Sequence, residues 1–233
     1  MRNAPQPVPA DYNYTGISDN EQCVMPKAAY NSLIGKSDGE GLYWTTDKNA
    51  LLPIKMNPGS RNDFPAFCIH HFIEEKVKMR SDTEVLIDNT KETKRVWTWE
   101  QLAHDCEIFA RACIKFGAPI RSSVNIIGFN SPEWFIAYLG AMCANFIAAG
   151  VYTTNKPDAC AYIAEGSEAS IIVVENREQL AKYEPEMHKL QGIKAVVVYG
   201  ERPHGSTDPR VYDWAEFMKF GEEEGLAAEY IER

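Results

Sequence analysis

The chain has 233 residues, 45% of them hydrophobic and 24% charged, a balance that fits a globular fold large enough to build its own core and argues against a disordered or fibrous class. Asp and Glu outnumber Lys and Arg by 33 to 24, for a formal net charge of −9, which repels phosphate backbones and argues against a nucleic-acid partner. The six cysteines include no CxxC pair, and the first twenty residues carry Pro5, Pro7 and Pro9 in place of a charged-then-apolar leader, so reduced thiols in a cytosolic protein are expected.

Residues 1–62 are rich in Pro, Asn, Asp and Gly and hold only short apolar islands such as Leu42-Tyr43-Trp44. They read as an irregular N-terminal arm lying on a folded surface, with residues 63–233 as the α/β domain. Phe67, Ile69, Phe72, Ile73 and Val77 predict a helix over Phe64–Lys78. A hairpin follows, with strands at Glu84–Asp88 and Arg95–Trp99 around a polar turn. Thr98 and Gln101 have capping-box spacing, and Leu102, Cys106, Phe109 and Cys113 then recur at helical intervals until Gly117 and Pro119.

From Ser123 the pattern alternates. Val124–Phe129, Ile147–Tyr152, Ala169–Val174 and Lys194–Tyr199 read as strands, and Pro132–Phe146, Pro157–Gly166 and Arg177–Leu190 as the helices between them. Uniformly apolar strands separated by helices predict an α/β fold with a parallel sheet flanked by helices on both faces. Trp134–Asn155 contains no charged residue and passes the roughly 18-residue flag for a membrane span. Ser131-Pro132-Glu133 at its start, Asn145 inside it and Gly150 near its end divide it instead into a buried helix and a buried strand. A polar loop over 201–209 then leads to an amphipathic helix capped by Asp213 with Glu216 three residues on.

The chemistry-bearing patterns are few. Gly35-Lys36-Ser37 resembles the end of a phosphate loop, but Tyr30 stands where that loop needs its first glycine. Cys68, His70 and His71 invite a metal reading; neighbouring helical histidines diverge by about a hundred degrees, so no metal ligand is assigned. Glu222-Glu223-Glu224 reads as a solvated helical face. No nucleophile elbow, dinucleotide fingerprint or paired carboxylates appear, so no residue is assigned a catalytic role.

A reaction enters only through resemblance. Trp97-Thr98-Trp99-Glu100-Gln101-Leu102 is similar to the first core motif of adenylate-forming enzymes, where an aromatic-Thr-aromatic strand end enters a helix. The likeness continues through Asn125–Phe135, Gly140–Ala144, Ala149–Asn155 and Ile171–Asn176, and resembles the N-terminal portion of long-chain fatty acid–CoA ligases of the bubblegum-type branch. The resemblance implies a reaction in which fatty acid and ATP, with Mg2+, give an acyl-adenylate and pyrophosphate, after which CoA displaces AMP. It also implies that the Ser/Thr/Gly-rich phosphate loop, the adenine- and ribose-binding segments and the C-terminal domain lie beyond the region matched here. The chain alone is therefore expected to bind no cofactor and to be inactive. It would depend on other protein chains, either the missing ligase half or a host assembly in which it serves as a non-catalytic structural subunit.

By the same resemblance, Tyr152, Thr153 and Thr154 approach the CoA nucleotide, and Arg177, at the following strand-to-helix junction, is placed to meet a phosphate. The bland alternative for the two threonines is capping and turn formation, and for Trp134 it is core packing. Fatty acid and CoA become ligands only once the enzyme is complete. No transmembrane segment is expected, and acyl chain length and any peripheral membrane association stay open.

Overall fold

The computed structural model describes residues 68–90, 93–201 and 205–233. Ile69–Arg233 forms one compact unit. The arm, the phosphate-loop lookalike at Gly35 and the start of the first expected helix lie outside the described residues. Among them, no helix is long and apolar enough to cross a membrane.

The first helix, α1, runs Ile69–Arg80. Strands β1 (Glu84–Asp88) and β2 (Arg95–Thr98) pair antiparallel, with Leu86 opposite Trp97 and Asp88 opposite Arg95. The second strand stops one residue early because Thr98 is an N-cap: its hydroxyl accepts from Gln101 N–H at 3.3 Å and Gln101 Oε1 accepts from Thr98 N–H at 2.9 Å. That reciprocal box opens α2, Trp99–Lys115, which ends as Gly117 turns to a φ of +71°.

Then come β3 (Ser123–Ile127), α3 (Pro132–Cys143), β4 (Ile147–Val151), α4 (Pro157–Gly166), β5 (Ala169–Val174), α5 (Arg177–Tyr183) and β6 (Ala195–Val198). The described residues add β7 (Val211–Asp213), α6 (Trp214–Gly221) and α7 (Leu226–Glu232). The large sheet has the order β4-β3-β5-β6-β7, every pairing parallel. Its central strands β3, β5 and β6 are buried along their whole length because both faces are covered, whereas the edge strands β4, expected to be buried, and β7 are partly exposed. Ile171 and Val173 belong to the core shared with α2, α3 and α6, while Ile172 and Val174 belong to the core shared with α4 and α5. Each such side chain, fully buried, contributes about 2 kcal/mol.

Several expectations need correction. The helix predicted through Leu190 ends at Tyr183 and passes into a short 3-10 turn at Glu184–Glu186, since Pro185 supplies no N–H to continue the ladder. The helix predicted through Phe146 ends at Cys143, with Asn145 at a φ of +60° making the turn into β4. β7 lay unread inside the polar tail, being three residues long. Glu222–Glu224 is the turn between α6 and α7, not a helical face. There Arg111 donates to Glu223 O at 2.9 Å and Lys115 pairs with its carboxylate. No disulfide joins described cysteines; Cys106, Cys113 and Cys160 are buried and Cys143 half-buried.

Candidate functional site

Parallel strands bring their carboxyl ends to one side of a sheet, and open α/β sheets hold ligands where successive connections leave toward opposite faces. That divergence falls at β3. The chain leaves β3 toward α3 on one face, whereas it leaves β4 and β5 toward α4 and α5 on the other. The loops at 128–131, 152–156 and 175–176 therefore lie side by side at the carboxyl end of the sheet, the position where such folds form a crevice.

The first loop is held tightly. Gly128 has a φ of +158°, and a Cβ there would lie 2.0 Å from Tyr199 Oη and 2.6 Å from Glu175 Cβ, so the position admits only glycine. Phe129 N–H donates to Glu175 Oε2 at 3.0 Å, and Tyr199 Oη donates to Phe129 O at 3.0 Å. Burial first, and then the Glu175 charge, push the Tyr199 phenol upward, which keeps it protonated as that donor. The Phe129 side chain itself is 72% exposed. Ser131 then caps α3, accepting from Trp134 N–H at 3.1 Å, and Pro132 opens the helix.

Of the residues singled out in the sequence, Tyr152, Thr153 and Thr154 form the second loop, a turn closed by Asn155 N–H on Tyr152 O at 3.1 Å. Tyr152 is 80% exposed. The threonines do not cap α4: Lys156 occupies the N-cap and makes no side-chain cap bond. Lys182 Nζ donates to Thr153 O at 2.5 Å, fixing a cation against this turn from α5. Arg177 is the first residue of α5, yet its guanidinium lies 2.7 Å from Glu184 Oε2 and its N–H donates to Glu201 Oε1 at 2.5 Å. The structure thus brings Tyr152, Thr153 and Thr154 to the crevice and turns the Arg177 charge toward its own helix. Asn176, not Arg177, caps α5, accepting from Gln179 N–H at 3.1 Å.

Phe129, Glu175, Tyr199 and Lys182 were not singled out in the sequence. The usable signal was the glycine at position 128 between an apolar strand and a capped helix; nothing local marks Tyr199, which arrives from β6.

Behind the crevice, the hairpin is tied to the start of α3. Arg95 reaches Asp88 Oδ2 through Nε at 3.1 Å and Nη2 at 2.8 Å, and reaches Glu133 Oε1 through Nη1 at 2.5 Å. Hydrogen bonds from the Thr90 hydroxyl and N–H, then from Arg95, hold the Asp88 carboxyl well below the usual carboxylate range. Trp97, in the motif quoted above, donates from Nε1 to Asp105 Oδ2 at 2.8 Å. A cavity of about 410 Å³ beside it is lined by Trp97, Glu100, His104 and Asp105 among others; its two carboxylates disfavour a phosphate ligand.

The imidazoles of His70 and His71 lie with ring centroids 4.0 Å apart, closer than divergence along a helix led us to expect, because side-chain rotation can offset backbone spacing. Cys68 falls outside the compact unit that begins at Ile69, and two imidazoles fall short of a structural metal set.

Residues 73–219 match the AMP-binding enzyme family. The chain belongs to that family. Among its relatives is the long-chain-fatty-acid–CoA ligase ACSBG2 of Xenopus laevis, 32% identical over 212 residues that cover 88% of this chain and 29% of the relative. The ligase of the same name from Gallus gallus is 35% identical over 207 residues, covering 88% of this chain and 27% of the relative. The chain thus spans less than a third of the length of these curated relatives. A solved anthranilate CoA ligase, AuaEII in complex with anthranoyl-AMP, shares the fold with a TM-score of 0.57 at 21% identity, over 67% of this chain and 28% of that one. The resemblance to bubblegum-type long-chain ligases, and to the N-terminal part of adenylate-forming enzymes, is therefore confirmed for the region spanned.

Proposed function

We propose that the chain is the N-terminal part of a long-chain fatty acid–CoA ligase and that it depends on the remaining part for turnover. The carrying observation is that an alignment to such a ligase, at 32% identity, covers 88% of the chain, while the family match over residues 73–219 takes in the whole parallel sheet. The complete reaction, on this reading, is attack of a fatty carboxylate on the α-phosphorus of ATP with loss of pyrophosphate, then attack of the CoA thiol on the acyl carbonyl with loss of AMP.

The described residues fit the two cofactors unequally. A triphosphate needs successive backbone N–H groups gathered in a glycine-rich turn. Here Gly128, Gly140 and Gly221 lie against neighbouring side chains or carbonyls and serve close packing instead. The carboxylate nearest the crevice, Glu175, is engaged by Phe129 N–H, which leaves no assembled Mg2+ set there. On this reading ATP and Mg2+ belong to the remainder of the enzyme, where the resemblance puts the phosphate loop. CoA fits better, because Tyr152, Thr153 and Thr154 present an exposed turn with Lys182 against it. Arg177 joins only by releasing Glu184. The protein is read as cytosolic, in keeping with its unpaired buried thiols.

The test is fatty-acid-dependent pyrophosphate release with MgATP. The chain alone should release none, and adding the complementary three quarters of a homologous ligase should start turnover. Release by the chain alone would overturn the dependence. A stable but inert assembly would favour the other reading, a ligase-derived structural subunit.

A further inference from the structure

We propose that the cavity between β2 and α2 is a docking site for an arginine side chain carried by another polypeptide, a reading independent of the CoA turn. The cavity, about 410 Å³, is lined by Val96, Trp97, Glu100, Gln101, His104 and Asp105, with no Lys or Arg among them. The four residues from α2 stand at positions i, i+1, i+4 and i+5 and so form one outward stripe. The hairpin sets an indole beside that stripe, and Asp105 fixes the indole's edge by accepting from Trp97 Nε1 at 2.8 Å.

Carboxylates beside an aromatic ring suit a cation. The ring already holds one, since the Arg95 guanidinium carbon lies 5.3 Å from the Trp97 ring centroid. Asp88 and Glu133 meet that charge, so Arg95 does not cancel the negative field of Glu100 and Asp105. A metal ion is the poorer occupant, because among the described residues the ligand atoms of Glu100, His104 and Asp105 are not gathered as a cation site requires. A lysine ammonium is poorer than a guanidinium, which is planar, stacks on rings and donates to carboxylates from a rigid fork. A small free cation is also poorer. Glu100, Gln101 and His104 are exposed, so a ligand here is covered from one side, whereas small-molecule sites bury most of their ligand. An arginine delivered by a protein brings the rest of its cover with it, and arginine is enriched at such contacts.

The experiment is an NMR titration of the full chain with the capped tripeptide Gly-Arg-Gly, read on the Trp97 indole N–H. The shift should saturate, and Glu100→Gln should weaken binding about 3-fold. Glu165→Gln, the same change of net charge on α4, should leave binding unaltered. The lysine tripeptide and methylguanidinium should both bind more weakly than the arginine peptide, and the uncharged citrulline tripeptide should not bind. No saturable shift with the arginine peptide, or an unchanged affinity in Glu100→Gln, would overturn the proposal. So would citrulline binding like arginine, which would leave only an apolar groove, or equal losses in Glu100→Gln and Glu165→Gln, which would leave only net charge. Lysine binding as tightly as arginine would overturn the guanidinium assignment, and methylguanidinium binding as tightly as the peptide would overturn the polypeptide one.

Discussion

Asp88 and Glu133 come from a hairpin and a helix, Arg95 and Glu133 being 38 residues apart, and the guanidinium joins them by donating to both carboxylates at once. Asp88 has a folded pKa below its unfolded value of about 3.9, so it contributes stability that is present above that value and lost as pH falls through the folded pKa. Asp88→Asn should therefore be less stable than wild type at pH 7, and the gap between their urea midpoints should narrow as pH falls below about 4. A gap of constant size from pH 7 to pH 2 would refute this assignment. None of this was legible in the sequence. Arg95 and Asp88 looked like polar strand residues, and Glu133 like an ordinary first-turn acid, because only tertiary packing sets them against one another.

At the scale of elements, the start of α2 is the case in which local chemistry was sufficient. Thr98 and Gln101 satisfy one another's backbone donors within four residues, so the spacing alone predicts the boundary. Thr98→Ala should cost about 1 kcal/mol in urea unfolding; an unchanged midpoint would mean that packing of Trp97 and Trp99 sets the helix start instead. The strands β3, β5 and β6 were equally legible, because burial on both faces demands an apolar run. Elements failed where one residue overrode periodicity: Pro185 ended α5 inside an otherwise helical pattern, and Asn145 ended α3 by adopting a left-handed turn. β7 failed for a different reason. Three residues cannot display a period, and Val211–Asp213 becomes a strand only because β6 offers it an open edge.

For the whole molecule, the fold was legible and the site only in part. The turn at 152–154 was found by resemblance, and its place at the carboxyl end of a parallel strand followed from the fold. Phe129 and its supports were missed, since Glu175 and Tyr199 reach it from 46 and 70 residues away. The matched family, the parallel sheet and the sub-third share of its relatives' length support the proposal that the chain is part of a longer ligase, with triphosphate binding assigned to the rest of it. The most direct measurement of that claim is calorimetric titration of the purified chain with MgATP. The account predicts no heat of binding up to millimolar nucleotide. Tight, Mg2+-dependent binding by this chain alone would contradict it.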